Sequence, residues 1–210
     1  MMQNEILRHC RRFPIVPVLT FADTGRAVEM CGALLEGGAA VLEITFRTEA
    51  AAAALAAVAA AYPQAVVAAG SVRTAEQLRQ ARDAGAVFAV SPGATPTLLE
   101  ADILPLLPAA ATVSEIMRLG ERGCRFIKFF PAVAMGGAAA LTAFYGPLAE
   151  VVFCPTGGIN LHNADEFLAL PNVACVGGSW LVHDGDDAKA VYEKTRAAGK
   201  LAVSKEEKAL

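Results

Sequence analysis

Short apolar runs, each long enough for one β-strand, recur along the chain at intervals of roughly 20 to 30 residues. The segments between them carry the apolar spacing of helices. The eight runs are residues 15–19, 40–46, 65–69, 87–90, 103–108, 125–129, 151–154 and 173–176. Strands that are apolar on both faces and alternate with helices pair in parallel, so the pattern predicts an α/β fold.

Several of the predicted helices end at a glycine just before the next run, at Gly38, Gly85 and Gly123. Eight consecutive β–α units predict a (β/α)8 TIM barrel, with an additional N-terminal helix over residues 4–12. The alternative is a doubly wound open sheet. Because no G-x-G-x-x-G motif follows the first run, the barrel is favoured.

The composition is that of one globular domain, residues 1–210, with 55% apolar and 19% charged residues. The longest apolar block, residues 50–62, is shorter than the about 20 residues that cross a bilayer. It predicts a buried helix with Thr48 at its N-cap, and no membrane partner. Residues 1–12 carry charges and lack the apolar core of a signal peptide, so we expect a cytoplasmic protein.

The cysteines and histidines have none of the spacings that metal sites use. The five cysteines form no C-x-x-C pair, and the three histidines are scattered. This pattern is typical of reduced structural thiols, so the sequence predicts no disulfide framework, no metal and no cofactor. A net charge of −3 without a basic run argues against nucleic acid as a partner.

One lysine lies inside a run that otherwise has the composition of a buried strand. The alternation of a strand places Phe126, Lys128 and Phe130 on one face, so the amine projects between two aromatic rings. Burial disfavours the charged form of an amine, and a neutral amine is the form that attacks a carbonyl. The alternative is a lysine at a strand end that extends its ammonium into solvent.

The second run carries a carboxylate on the same face as an arginine. Alternation places Glu43 and Arg47 on one face, together with Val41 and Thr45. A carboxylate inside a barrel needs a partner, and an ion pair of Glu43 with Arg47 or Lys128 could serve packing alone. We expect Arg47, near the end of the strand, at the barrel mouth, where it could hold a carboxylate or phosphate.

Two glycine pairs follow the seventh and eighth runs, at Gly157-Gly158 and Gly177-Gly178. Glycine allows the backbone to approach an anion closely, and the loops after these two strands hold phosphate in many barrels. A single glycine pair is as well explained by a tight turn. Two pairs at equivalent positions favour a phosphate site.

Five motifs resemble those of the 2-keto-3-deoxy-6-phosphogluconate (KDPG) aldolases, a family that includes 4-hydroxy-2-oxoglutarate (KHG) aldolase activity. They are LEITFRT at 42–48, VSPG at 90–93, FIKFFPA at 126–132, CPTGG at 154–158 and GGSW at 177–180. The resemblance covers residues 14–182 in order. It implies a (β/α)8 barrel, a class I aldolase without metal or cofactor, and commonly a homotrimer. Ser71 stands where the family usually has threonine, and Ala109 where it often has glycine.

The resemblance also implies a role for each matching residue. Lys128 matches the Schiff-base lysine and Glu43 the general acid and base. Arg47, Ser71 and Thr156 match groups near the pyruvate carboxylate, Pro92 and Phe130 line the pocket, and Gly157, Gly158, Gly178 and Ser179 match the phosphate end. The reaction implied is cleavage of KDPG to pyruvate and D-glyceraldehyde 3-phosphate, with small molecules as the only substrates.

Three other functions fit part of the sequence. A phosphate-binding TIM-barrel isomerase or epimerase would use the glycine pairs, but it has no need of a lysine buried among phenylalanines. A barrel that only binds sugar phosphates would have no need of Lys128 or Glu43. The 6-phosphogalactonate-specific aldolases of the same family tend to carry valine where this chain has Thr156.

Overall fold

Nine parallel strands alternate with helices in the computed structural model, which describes the backbone of residues 2–208 and the side chains of residues 3–201. The predicted domain 1–210 therefore includes residues 1, 209 and 210, which lie outside the described residues. The strands are β1 Ile15–Leu19, β2 Val41–Thr45, β3 Val66–Gly70, β4 Phe88–Val90, β5 Leu106–Leu107, β6 Ala109–Ala110, β7 Phe126–Phe129, β8 Val152–Pro155 and β9 Val176–Gly178. The helices are α1 Met2–Cys10, α2 Thr24–Glu36, α3 Ala51–Ala61, α4 Ala75–Asp83, α5 Pro96–Leu99, α6 Val113–Glu121, α7 Gly137–Tyr145, α8 Ala164–Leu168 and α9 Ala188–Lys208.

The strands form two parallel sheets that follow chain order. One sheet has the order β5-β4-β3-β2-β1-β9 and the other β6-β7-β8. Isolated parallel bridges from Phe153 to Val173 and from Thr156 to Gly177 connect β8 to β9. A doubly wound sheet reverses its strand order near the middle, whereas this order is sequential and curls as in a TIM barrel. The α/β prediction with parallel strands is confirmed.

Two of the predicted strands differ from the structure by more than one residue at an end. The fifth run, 103–108, was predicted as one strand, but it is two short strands on either side of Pro108. Proline has no N–H to give to the ladder, although its carbonyl still accepts from the Lys128 N–H at 2.9 Å. The eighth strand covers Val176–Gly178 instead of 173–176, because Gly177 and Gly178 pair with β1 and do not form a turn.

The sheets separate two apolar clusters. The outer cluster lies between strands and helices and includes Ile127 and Phe129, the alternate residues of β7. The interior cluster is formed by Ile6, Cys10, Val16, Val41, Val66, Ala68, Phe88, Val90, Leu107, Phe126, Cys154 and Cys175. Each large side chain buried in this way contributes about 1.5–3 kcal/mol. Residues of β2 and β7 that alternate with the outer cluster therefore point into the interior, as the sequence predicted for Glu43 and Lys128.

Helix α1 covers the N-terminal end of the interior cluster. It supplies Ile6 and Cys10, and it begins and ends two residues before the predicted range 4–12. The side-chain oxygen of Gln3 accepts hydrogen bonds from the backbone N–H groups of Arg125 and Phe126, at 2.8 and 3.2 Å. The helix is thereby fixed to the start of the strand that carries Lys128.

Helix ends were predicted well in one respect and wrongly in another. Gly38, Gly85 and Gly123 follow helices with φ of +106°, +92° and +80°, which confirms their role as helix ends. Helix α3 lies in the block predicted as a buried helix, but Ala50 is its N-cap and makes no side-chain bond. The hydroxyl of Thr48 donates instead to the Phe21 carbonyl at 2.6 Å. Within the described residues, no helix is long and apolar enough to span a bilayer.

Candidate active site

The ammonium of Lys128 and the carboxylate of Glu43 meet on the interior side of the strands. Lys128 Nζ lies 3.1 Å from Glu43 Oε1, and the two residues are 5% and 3% exposed. They come from β7 and β2, which belong to different sheets. An unpaired charge at this depth would cost several kcal/mol, so each group makes the burial of the other possible. Of the two ion pairs considered for Glu43, the structure contains the one with Lys128.

The amine lies beside an aromatic ring on the interior side of β7, the side that strand alternation predicted. Lys128 Nζ lies 5.6 Å from the centroid of the half-buried Phe130 ring, and Phe126 is buried two residues before the lysine. The alternative of an ammonium extended into solvent is therefore wrong. The contact with Glu43 also gives the ammonium a nearby proton acceptor, which a reacting amine requires.

Arg47 and Ser71 form a second polar pair at the C-terminal ends of β2 and β3. Arg47 Nε donates to Ser71 Oγ at 2.8 Å, and the arginine is exposed, which confirms its predicted place at the rim. A guanidinium has five N–H donors, and this bond uses one of them. Ser71 has φ +58°, in the left-handed region that residues with a side chain rarely adopt. The serine hydroxyl is thus held beside an arginine that can still bind an anion.

A pair of hydroxyls, one from a buried threonine and one from an exposed threonine, lies beside these two groups. Thr45 is fully buried on β2 between Glu43 and Arg47, and its hydroxyl is 2.8 Å from that of Thr20. The alternation of the second run placed Thr45 on this face, but nothing in the sequence indicated Thr20 as its partner. The pair connects the end of β1 to the strand that carries the carboxylate.

The two predicted glycine loops lie side by side. Thr156 is buried at the end of β8 and forms a parallel bridge with Gly177, and a Cβ at Gly177 would overlap the Thr156 side chain. Gly157 and Gly158 follow with φ of +101° and +78°. A Cβ at Gly157 would lie 3.3 Å from the Phe130 ring, so this turn borders the residue beside Lys128.

The remaining predicted residues lie at the rim. Gly178 ends β9 beneath the ring of Trp180, and Ser179 is exposed one residue later. Pro92 is exposed in the loop that follows β4. In the part of the chain with described side chains, no hydrogen bond connects Pro92 or Ser179 to the Lys128–Glu43 pair.

Gly70, like Thr20, is a residue of the site that the residue-level predictions missed. A Cβ at Gly70, the last residue of β3, would lie 2.5 Å from Glu43 Oε1 and 2.6 Å from its Cγ. The absence of a side chain there leaves room for the carboxylate. The sequence offered one signal for this residue. Gly70 directly follows a predicted strand, and the strand before it carries Glu43.

The described residues contain no group of three or more His, Cys, Asp or Glu arranged to hold a metal ion. The functional groups near Lys128 are instead a carboxylate, hydroxyls, a guanidinium and glycine backbone. Together they can bind a carbonyl compound, neutralise an anion and move a proton.

Comparison with known proteins places this site in a family. The sequence pattern described as "Aldolase: KDPG and KHG aldolase" matches residues 6–195. The chain belongs to the KDPG and KHG aldolase family. It is 44% identical over 194 residues to a 2-dehydro-3-deoxy-phosphogluconate aldolase of Pseudoalteromonas atlantica, which covers 91% of this chain and 90% of that protein. It is 49% identical over 172 residues to the KHG/KDPG aldolase of Escherichia coli K12, covering 80% and 81%.

A solved aldolase shares the fold as well as the sequence. The KDPG aldolase of Legionella pneumophila, crystallised with pyruvate captured at low pH as a covalent carbinolamine intermediate, superposes on this aldolase with a TM-score of 0.88. The two chains are 41% identical, and the alignment covers 92% of this chain and 97% of the other. The predicted resemblance to this family is confirmed.

Proposed function

We propose that this protein is a class I aldolase that cleaves KDPG to pyruvate and D-glyceraldehyde 3-phosphate, and that it also accepts 4-hydroxy-2-oxoglutarate, giving pyruvate and glyoxylate. It is a carbon–carbon lyase. The observation that carries the proposal is the buried contact of 3.1 Å between Lys128 and Glu43. The pyruvate carbinolamine of the Legionella relative supports it, because a carbinolamine is the first covalent product of an amine and a ketone.

The reaction begins with a proton transfer inside the buried pair. Glu43 takes a proton from the Lys128 ammonium, and the neutral amine attacks the C2 ketone of the substrate. Nitrogen bonds to carbon and the carbonyl oxygen becomes the hydroxyl of a carbinolamine. Protonated Glu43 then returns its proton to this hydroxyl, which leaves as water. The product is an iminium that joins Lys128 to the substrate.

Cleavage uses the same carboxylate as a base. Glu43 removes the proton of the C4 hydroxyl, the C3–C4 bond breaks, and its electron pair moves onto the iminium. D-Glyceraldehyde 3-phosphate leaves with C4 as its aldehyde. Glu43 gives the proton to C3 of the enamine, and water hydrolyses the resulting iminium to pyruvate and free Lys128. The iminium is the electron sink, so these steps use no metal or cofactor.

The surrounding residues bind the two charged ends of the substrate. Arg47, held by its bond to Ser71, takes the carboxylate with Thr156, since a guanidinium matches the geometry of carboxylate oxygens. The phosphate binds at the turn after β8 and at the end of β9, formed by Gly157, Gly158, Gly178 and Ser179. The pocket wall is Pro92 and Phe130, and the ring of Phe130 already lies beside the amine.

We further propose that the chain is a single domain and a closed (β/α)8 barrel that follows helix α1. Strands β5 and β6, interrupted only at Pro108, act as one strand, and the β8–β9 bridges close the ring. A homotrimer in the cytoplasm is the assembly and location that fit the family resemblance and the five free thiols.

The proposal is tested by supplying KDPG and following pyruvate with lactate dehydrogenase and NADH. We expect pyruvate and glyceraldehyde 3-phosphate in equal amounts, at a rate that prolonged EDTA treatment leaves unchanged. The epimeric 6-phosphogalactonate analogue should be cleaved more slowly. Rearrangement of the sugar acid without pyruvate release would instead identify an isomerase or epimerase.

A further inference from the structure

Three cysteines that the aldol mechanism leaves unused meet in the interior cluster beneath Lys128. Cys154 comes from β8, Cys175 immediately precedes β9, and Cys10 ends α1. All three are buried free thiols that are far apart in the sequence. Cys154 and Cys175 lie on the two neighbouring segments that the parallel bridges Phe153–Val173 and Thr156–Gly177 connect.

One of the three cysteines, Cys154, lies next to the catalytic lysine. Cys154 is the register partner of Lys128 in the parallel pairing of β7 and β8, so both side chains project from the same face of adjacent strands. The Cys154 sulfur also lies 4.0 Å from the Thr156 hydroxyl. Cys154 is 3% exposed, close to the 5% of Lys128 and equal to the 3% of Glu43. Cys154 is therefore buried to about the same extent as the two groups that must meet the substrate.

Cys154 and Cys175 lie across the weakest junction between strands. Only the isolated bridges Phe153–Val173 and Thr156–Gly177 connect β8 to β9 in the described chain, and both cysteines lie between them. From one bridge to the next, the first segment advances three residues, from Phe153 to Thr156, and the second advances four, from Val173 to Gly177. The second segment therefore has one extra residue, and the pairing is irregular where Cys175 lies. Adjacent strands are about 4.7–4.9 Å apart, within the Cα separation of about 4.4–6.8 Å that disulfides need.

We propose that Cys154 and Cys175 are a site of reversible oxidation, where peroxide forms a disulfide across the β8–β9 junction and stops catalysis at Lys128. The Cys154 thiolate attacks a peroxide oxygen, so an S–O bond forms, the O–O bond breaks and water is released after protonation. The Cys175 sulfur then attacks the sulfenic sulfur. An S–S bond forms, the S–O bond breaks, and the hydroxide takes the Cys175 proton as a second water.

The environment of the thiols supports this assignment of roles. The hydrogen bond from Cys175 is the main influence that lowers the pKa of Cys154, and the positive charge of Lys128 acts in the same direction, against burial and Glu43. The pKa of Cys175 is raised by its interaction with Cys10, then by that with Cys154 and by burial. Cys175 is therefore the resolving thiol, the one that attacks the sulfenic acid in the second step. Burial raises the pKa of Cys31 to about 12 and also raises that of Cys124, which makes both poorer nucleophiles.

The cross-link affects catalysis because the two sulfurs must close to a bond of about 2.03–2.05 Å, which moves the strand next to Lys128. Drawing Cys154 toward β9 shifts β8, and with it Thr156 and the strand paired to Lys128. A misplacement of about 1 Å at a reacting group can lower the rate by about 10²-fold. This loss of activity rests on the proposed function, whereas the formation of the cross-link does not.

The test treats the fully reduced aldolase with limiting hydrogen peroxide, quenches with catalase, and alkylates the denatured chain. We expect peptide mapping to find one disulfide, Cys154 to Cys175, and an about 10²-fold lower turnover of the cross-linked fraction that dithiothreitol restores. Prior incubation with pyruvate should slow the oxidation, because pyruvate occupies the space above Cys154. Cys124→Ser, which removes a thiol outside the interior cluster, should behave as the wild type.

The substitution Cys175→Ser tests the two thiol roles separately. Cys175→Ser removes the resolving thiol, so Cys154 should accumulate as a sulfenic acid that dimedone captures. The proposal is overturned if Cys31 or Cys124 is oxidised first, if the disulfide maps to another pair, or if pyruvate forms its adduct on Lys128 and yet gives no protection. It is also overturned if the Cys154–Cys175 disulfide forms and turnover is unchanged. Failure of pyruvate to form an adduct on Lys128 would contradict the proposed function and leave the mapping of the disulfide unaffected.

Discussion

Gly70 leaves the space that the Glu43 carboxylate occupies. A Cβ at Gly70 would lie 2.5 Å from Glu43 Oε1, 2.6 Å from Cγ and 2.9 Å from Cδ. Real Cβ atoms do not approach other atoms so closely, and the carboxylate is held in place by its contact of 3.1 Å with Lys128. The position of the proposed acid and base therefore depends on a residue that does no chemistry.

The substitution Gly70→Ala should lower turnover by roughly 10- to 10²-fold, because the new methyl group moves Glu43 from Lys128 and from the substrate. Steady-state kinetics and circular dichroism measure the effect on rate and on fold. Gly146→Ala is the matched control, since a Cβ at Gly146 meets nothing within 4 Å. Full activity of Gly70→Ala would show that Glu43 has room to move without loss.

The substitution Glu43→Gln should preserve the fold and slow turnover by roughly 10²- to 10⁴-fold, the usual contribution of general acid–base catalysis. Glutamine has nearly the same shape and can accept a hydrogen bond from Lys128, but it cannot take up and return a proton. Turnover across a pH series tests this. A variant with the wild-type rate and pH profile would leave Glu43 as a structural partner of Lys128 only.

The substitution Thr156→Val should weaken the preference for the gluconate over the galactonate epimer. The Thr156 hydroxyl is buried against Gly177 and makes two long contacts, 3.4 Å to the Cys154 carbonyl and 4.0 Å to the Cys154 sulfur, which leave it able to bond a substrate oxygen. Loss of one such bond changes discrimination by about 1–3 kcal/mol, or roughly 5- to 150-fold. The ratio of kcat/KM for the two 6-phosphates measures it, with Thr142→Val on α7 as control. An unchanged ratio would mean that Thr156 has no part in epimer choice.

Glu115 should make stability depend on pH at the start of α6. Its carboxylate accepts from the N–H groups of Ala111 and Thr112, both at 2.9 Å, and the bond from Ala111 is the largest influence that lowers its pKa. Because the pKa is lower in the folded state, the stabilisation is complete above the unfolded pKa and is lost as the pH falls through the folded value.

Glu115→Ala should therefore reduce the free energy of unfolding by about 0.3–1 kcal/mol at neutral pH, with the difference shrinking in acid. Urea unfolding at several pH values measures this. Glu121→Ala removes an exposed carboxylate from the other end of α6 and serves as the control. A difference from the wild type that stays constant down to pH 3 would contradict the cause given for the shift.

The sequence predicted the faces of the strands better than their ends. Alternation alone placed Lys128 and Glu43 in the interior, because the outer cluster needs Ile127 and Phe129. It could not predict the break at Pro108 or the shift of β9, which depend on pairing with distant strands. It also misplaced the cap at Thr48, whose hydroxyl bonds to a loop that only the folded chain brings near. For the same reason, Gly70 and Thr20 entered the site only through the register of neighbouring strands.

The central claim is that Lys128 forms a Schiff base with the substrate ketone. The most direct measurement is reduction of the protein with sodium borohydride in the presence of pyruvate, followed by intact mass and peptide mapping. We predict one adduct with the mass of pyruvic acid less one oxygen atom, located on Lys128, with matching loss of activity, and no adduct in Lys128→Arg. No adduct, or an adduct on another lysine such as Lys189 or Lys194, would contradict the account.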